Sequence, residues 1–191
     1  MDSLMKKLIG IAIALFSASS AQSQLYGELG YTSLKYKQSG EVLGFTAAAK
    51  SSPSALRGVI GYEVNPNLGL ESIFALGLSG SDFKVTANGR PFAVPGGAEL
   101  EVNNALGLYL KPKTKLGDNL ELFGRLGFLR ADITLTALGE SIKDSGSGLS
   151  GGAGLSYLVN PTTSVTVDYM QYYSKDGIKI NGYTVGFGFK F

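Results

Sequence analysis

Eight charged residues stand isolated in otherwise apolar or glycine-rich stretches: Glu28, Arg57, Glu63, Glu71, Glu101, Glu121, Arg125 and Asp168. Converging carboxylates can do general acid–base work, so any chemistry would begin with these residues. The partners such chemistry usually needs are missing. The chain has no histidine and no cysteine, which removes Ser–His–acid activation of a nucleophile, thiolate chemistry and disulfides. For a metal only a carboxylate-rich calcium site would remain, and no loop has the acidic spacing it needs. Asp118 and the run Asp144–Ser145–Gly146 read as turn residues. An interior network of ion pairs is therefore the stronger reading of the eight charges, and no catalytic residue, cofactor or metal is expected.

The elements that must position these charges alternate with period two. They run over Leu25–Tyr36, Ala55–Val64, Leu68–Leu78, Glu99–Leu110, Leu120–Thr136, Gly148–Val159, Ser164–Tyr173 and Lys179–Phe191. Eight strands of this length exceed the five or six residues usual in soluble sheets. "NPN" at Asn65–Asn67 and "NPT" at Asn160–Thr162 are tight turns, and "KPKTKLGDN" at Lys111–Asn119 is intermediate in length. Most other connections are long. Short and long connections that alternate are what an even-stranded barrel with turns at one rim and loops at the other requires.

Composition narrows the class further. Only 17% of the 191 residues are charged and 27 are glycine, against about 25% charged in a typical soluble domain. A net charge of +2 with no Lys/Arg run argues against a nucleic-acid partner. Lys6 and Lys7, the apolar run "LIGIAIALF" and the small residues through Ala21 read as a cleaved export signal over residues 1–21. Residues 22–191 then form one barrel domain. No other segment approaches the roughly twenty apolar residues of a membrane helix, so any membrane crossing must use strands.

Each strand divides into an apolar face and a face of glycine with isolated charges. Leu68, Leu70, Phe74, Leu76 and Leu78 oppose Gly69, Glu71, Ile73, Ala75 and Gly77. A soluble barrel would cover its outer face with Lys, Glu, Asp and Thr. A membrane barrel turns the apolar face to lipid and packs the other face into a narrow lumen. The second arrangement explains glycine opposite Phe123, Tyr172 or Tyr109, and it requires Arg57 and Arg125 each to have a carboxylate partner.

The last strand, "YTVGFGFKF", carries Tyr183, Val185, Phe187, Phe189 and Phe191 on one face. With "GVIGYEVNPNLGLESIFAL" and "GAGLSYLVNPTTSVTVDYMQYY", it resembles the small outer-membrane β-barrels of the OmpA/OmpX-like superfamily over residues 25–191. The resemblance implies an all-β, eight-stranded antiparallel transmembrane β-barrel in the outer membrane of a Gram-negative bacterium. It also implies that the aromatic tail is an assembly signal read by the barrel assembly machinery, with outer-membrane lipid and lipopolysaccharide as surroundings. Larger members carry a peptidoglycan-binding domain after the barrel, which is not expected here. The enzymes that such barrels include rely on histidine, so the resemblance adds no catalytic residue.

The expected role is non-enzymatic: envelope structure or adhesion-like surface interaction through extended extracellular loops. Asn88–Gly89 within "FKVTANGRPFAV" is a strong hairpin signal, and Arg90 and Phe92 beside it are candidate contacts for a host or cell-surface ligand. A narrow low-conductance channel is the alternative, and a secreted soluble β-barrel carrier the second. Tyr26, Tyr36, Tyr62, Tyr109, Tyr157, Tyr173 and Tyr183 suit interfacial girdles. The lysines of "KPKTK" read as a solvated periplasmic turn.

Overall fold

The computed structural model describes residues 24–42, 45–87, 90–92, 97–137, 140–175 and 177–191. The export signal expected over residues 1–21 lies outside them. Twelve strands follow one another: β1 (Leu25–Val42), β2 (Phe45–Ser51), β3 (Ser54–Asn65), β4 (Leu68–Ser79), β5 (Ser81–Asp82) and β6 (Lys84–Ala87). After these come β7 (Arg90–Phe92), β8 (Ala98–Lys115), β9 (Leu120–Ala137), β10 (Glu140–Asn160), β11 (Thr163–Lys175) and β12 (Ile178–Lys190). Eight of them close a ring in the order β1–β3–β4–β8–β9–β10–β11–β12, and β12 pairs back onto β1 from Tyr26↔Lys190 to Gln38↔Ile178. All pairings are antiparallel.

The "NP" turns work as their composition predicts. Asn65 Oδ1 accepts the backbone N–H of Asn67 at 2.9 Å, and Asn160 Oδ1 accepts that of Thr162 at 2.9 Å. Each Asn side chain thus supplies the acceptor that a two-residue reversal lacks. These turns, the bend at residues 116–119 and Phe191 share one rim, the periplasmic one by the short-turn rule.

At the opposite rim the strands overshoot any bilayer. β9 has 18 residues, about 60 Å at roughly 3.3 Å per residue, whereas a tilted spanning strand needs about 9–11 residues. β1 continues beyond β3 to pair with β2, β2 pairs with β6, and β6 with β7. Ala87 faces Arg90, the register of a two-residue hairpin at Asn88–Gly89, although those two residues lie outside the described ones. On the other side β8, β9 and β10 rise together, with Glu140 facing Ala137. Asp144, Ser145 and Gly146 are therefore not a turn: they form strand opposite Ile133, Asp132 and Ala131. A regular partner strand overrides the local turn preference of this polar run.

Alternation sorts the side chains as a membrane barrel requires. Leu29, Ile60, Leu76, Leu126, Val167 and Phe187 point outward around the ring, with Leu126 63% and Phe187 56% exposed. A continuous apolar belt of this size is lipid-facing surface, which rules out the soluble carrier. The tail residues Tyr183, Val185, Phe187, Phe189 and Phe191 all lie on this outer face. Inside, glycine makes room for rings: a Cβ on Gly154 would stand 2.6 Å from Phe123 Cζ, and one on Gly127 2.7 Å from Tyr109 Cδ1. The tyrosine girdle is smaller than expected. Tyr157 and Tyr183 face outward, but Tyr26, Tyr36 and Tyr109 are buried in the lumen, where their strand parity places them.

Candidate functional site

The lumen at mid-height is filled by ions drawn from six strands. Glu28 comes from β1, Arg57 from β3, Glu71 from β4, Lys111 from β8, Arg125 from β9 and Asp168 from β11. Arg57 grips Asp168 with both Nη atoms, one at 2.9 Å from Oδ1, and its Nη2 also donates to Glu28 Oε1 at 2.6 Å. Arg125 donates from Nε to Glu71 Oε2 at 2.6 Å, from Nη1 to Asp168 Oδ2 at 2.6 Å and from Nη2 to Glu28 Oε2 at 2.8 Å. Lys111 Nζ lies 3.2 Å from Glu71 Oε1, which also accepts from the Tyr26 hydroxyl at 2.8 Å. The phenyl ring of Phe123 sits between Lys111 and Arg125, 4.5 Å and 4.7 Å from their charges, so cation–π attraction adds to the pairing.

Three cations face three carboxylates in this layer, all buried. Charge balance is what allows ions to remain ionised away from water; a surplus charge of either sign would cost several kcal/mol. A second balanced group lies toward the periplasmic rim. Glu63 takes Lys113 at 2.7 Å and Lys190 at 3.0 Å, and Lys113 also approaches Glu121 at 3.3 Å. Seven of the eight charges singled out in the sequence are thus brought together in two groups.

The eighth is not. Glu101 is exposed, because a bulge between Val102 and Asn104 shifts the phase of β8. Below the bulge odd-numbered residues face the lumen, as Tyr109 and Lys111 do; above it Leu100 and Val102 do. One inserted residue exchanges the faces of everything beyond it. The solvated turn expected at "KPKTK" is likewise corrected. β8 runs on to Lys115, and Lys111 and Lys113 turn inward as the counter-ions of Glu71, Glu63 and Glu121. The inward parity of Tyr109 two and four residues earlier was the signal that could have found them.

Every central carboxylate is held by at least two donors. Among the described residues no cluster of three or more His, Cys, Asp or Glu is placed to hold a metal ion. The ionic layer separates a periplasmic pocket of about 40 Å³ from a larger apolar cavity of about 450 Å³ above it. At that upper cavity burial, and secondarily the carboxylate of Asp144, raise the phenol pKa of Tyr36.

A different arrangement appears on the outer face of the projecting sheet. Lys84 on β6 stands opposite Lys50 on β2, Lys50 opposite Lys37 on β1, and Lys37 opposite Lys179 on β12. All four are exposed. Direct cross-strand neighbours share a face of the sheet, and like charges so placed repel. The row spans three strand spacings, about 14 Å. Lys35 lies on the same face, its Nζ 5.4 Å from the ring of Tyr183. Arg90 also projects above the membrane and is exposed, but it faces Ala87, one step out of phase with Lys84. Phe92 faces Val85, and its side chain lies outside the described residues.

A model of the family described as "Outer membrane protein beta-barrel domain" matches residues 8–191. The attachment invasion locus protein of Yersinia enterocolitica is 27% identical over 98% of this chain and all of its own length. Among solved structures, the attachment invasion locus protein of Yersinia pestis in complex with the heparin analogue sucrose octasulfate is 19% identical. It covers 90% of this chain and 100% of its own with a TM-score of 0.58. Neisserial surface protein A is 14% identical with the same coverages and a TM-score of 0.61.

Proposed function

Because the chain belongs to the outer membrane protein β-barrel family, and so resides in the outer membrane, we propose that it is a non-enzymatic surface protein that attaches to anionic polysaccharide. The observation that carries this reading is the row Lys84–Lys50–Lys37–Lys179. Four like charges in register oppose folding, and among the described residues none of them takes part in an ion pair. A sulfated or phosphorylated polymer lying across the strands would relieve that repulsion at every step. The kinship with an attachment invasion locus protein, and the heparin analogue bound by the Yersinia pestis protein, support the same reading.

The position of the row favours a second anion at the same lysines. On β1 the outward residues run from the lipid-facing Leu29 and Tyr31 through Ser33 to Lys35 and Lys37. Lys35 lies four residue steps beyond Tyr31, about 13 Å along the strand, a height suited to the phosphates of lipopolysaccharide. The aromatic tail from Tyr183 to Phe191 serves as the address for the barrel assembly machinery. Arg90 and Phe92 act as further contacts at the hairpin tip. A channel is disfavoured, since the ionic layer occupies the lumen.

The test is retention of the folded protein on immobilised heparin across a salt gradient. Lys37→Glu combined with Lys50→Glu is expected to abolish retention at physiological salt, and rising salt to release the wild type, as screening of exposed charges demands. Unchanged retention of the double variant would reject the row as the site. Arg90→Ala with Phe92→Ala, read in a cell-adhesion assay, tests the hairpin contacts separately.

A further inference from the structure

The head that stands above the membrane separates its charges by sign. The lysine row has a counterpart in carboxylates on β5 and β8. Asp82 faces Glu99 directly across these two strands, and Glu101 follows on the same outer face of β8, since Leu100 and Val102 point inward. All three carboxylates are exposed, and among the described residues none takes part in an ion pair. Like charges placed across from each other repel, here as in the lysine row. Neighbouring residues dilute neither group. Residues 98–104 of β8 and 131–137 of β9 contain no Lys or Arg, while residues 31–40 of β1, 178–183 of β12 and all of β2 and β6 contain no Asp or Glu.

The two groups touch at one corner, where Asp82 and Lys84 stand two residues apart, and lead away from it around the head. β1 and β8 are three strands apart in the ring of eight, so the main parts of the two faces look toward different neighbours. Their heights agree. Lys37 lies six residue steps beyond the lipid-facing Tyr31, about 20 Å along the strand. Glu101 and Glu99 lie five and seven steps from the lipid-facing Leu106, about 17 and 23 Å. Copies inserted in one membrane share the same depth and direction. A second copy of this chain therefore presents to these carboxylates a face of the right sign at the right height.

We propose that neighbouring copies associate head to tail in the outer membrane, with the β5–β8 carboxylates of one copy seated against the lysine row of the next. A single exposed ion pair contributes little, but three carboxylates against four lysines act together, and electrostatic complementarity sets which surfaces meet. The two surfaces of the contact differ, so it is heterologous and leaves one of each kind free at every step. Such contacts extend into rings or open chains. The contact uses the same lysines as the polysaccharide reading but does not rest on it, because the carboxylates take no part in holding a polyanion. A polyanion instead competes with the neighbouring copy for the row.

The test is cross-linking in isolated outer membranes, which keep every copy in its native orientation. The chain has no cysteine, so introduced ones report cleanly. Ser39→Cys lies two residues past Lys37 on the same strand, and Thr136→Cys lies opposite Glu99. With a short bis-maleimide the chain carrying both cysteines should give a ladder of oligomers at low salt and lose it at high salt, while each single-cysteine chain stays monomeric. In the two-cysteine chain, Glu99→Lys with Glu101→Lys should abolish the ladder and leave retention on heparin intact, and Lys37→Glu with Lys50→Glu should abolish it too. Co-expressed in one membrane, the two charge-reversed chains should cross-link to each other again. Should the first reversed chain lack the gel shift of a folded barrel, Glu99→Gln with Glu101→Gln replaces it and should weaken the ladder. Absence of a ladder at low salt, single-cysteine chains that cross-link as well as the double, or a ladder that survives both reversals would each overturn the proposal. Heparin retention lost in the lysine variant with its ladder intact would reject this contact alone; retention kept with the ladder lost would reject the polysaccharide reading alone.

Discussion

Replacing Arg125 with methionine should be among the most damaging single substitutions in the barrel. The guanidinium makes four hydrogen bonds to three carboxylates: Glu71 twice, Asp168 and Glu28. Methionine retains much of the side-chain volume against Phe123, so the main loss is charge. Glu71 keeps Lys111 and Tyr26, while Glu28 and Asp168 keep Arg57. The layer then holds three carboxylates against two cations in a lumen without bulk water. Breaking a buried ionic group in this way costs about 3–5 kcal/mol. The assay is urea unfolding in detergent micelles, followed by heat-modifiable gel mobility and circular dichroism; the chain has no tryptophan for fluorescence. Adding Glu71→Gln restores two cations against two carboxylates. The double variant should therefore be more stable than Arg125→Met alone, with a coupling of about 0.5–3 kcal/mol. A loss below about 1 kcal/mol for the single variant, or strictly additive effects, would refute charge balance as the organising force.

Four further outcomes follow from the same geometry. Glu101→Ala should change stability by less than about 0.5 kcal/mol, whereas Glu63→Ala leaves Lys113 and Lys190 short of a partner and should cost more in the same urea titration. Gly154→Val must push a methyl group into Phe123 and the Cβ of Asp168, an overpacking worth about 1–3 kcal/mol or more, and should deplete the heat-modifiable form. Deletion of Phe191 should lower the amount of barrel in isolated outer membranes; normal levels would show that the tail is not an assembly address. In planar bilayers the purified protein should give no resolved conductance steps, because the ionic layer spans the lumen, and reproducible steps would contradict that.

The fold was readable because most ring strands show their parity openly, with a large apolar residue alternating against glycine or a polar one. The interior charges were readable for the same reason: an isolated Glu or Arg on a glycine face has nowhere to go but the lumen. What escaped notice was phase. The bulge at Val102–Asn104 leaves no mark in residue type, so Glu101 seemed to share a face with Tyr109. Lys111 and Lys113 were hidden by the neighbouring proline, which reads locally as turn. The Lys84–Lys50–Lys37–Lys179 row was invisible because its members are scattered over 143 positions and meet only through the pairing of four strands. The cavity above the ionic layer was hidden in the same way, since no single strand shows that Ala55, Ala75, Ala105 and Ala131 line one space.

The ionic layer also bears on how such a barrel reaches its closed form. Arg57 and Asp168 are 111 residues apart, and Arg125 and Glu28 are 97 apart. A sheet complete from β1 through β9 would carry Arg57, Lys111 and Arg125 against only Glu28 and Glu71. The missing negative charge arrives with β11, the last strand but one. An open sheet is thus left with an unanswered cation near the middle of the bilayer, and adding β11 removes that penalty in one step. Half-built or slipped barrels are disfavoured by this charge as well as by their unpaired edges, so the sequence carries its own proofreading of ring closure.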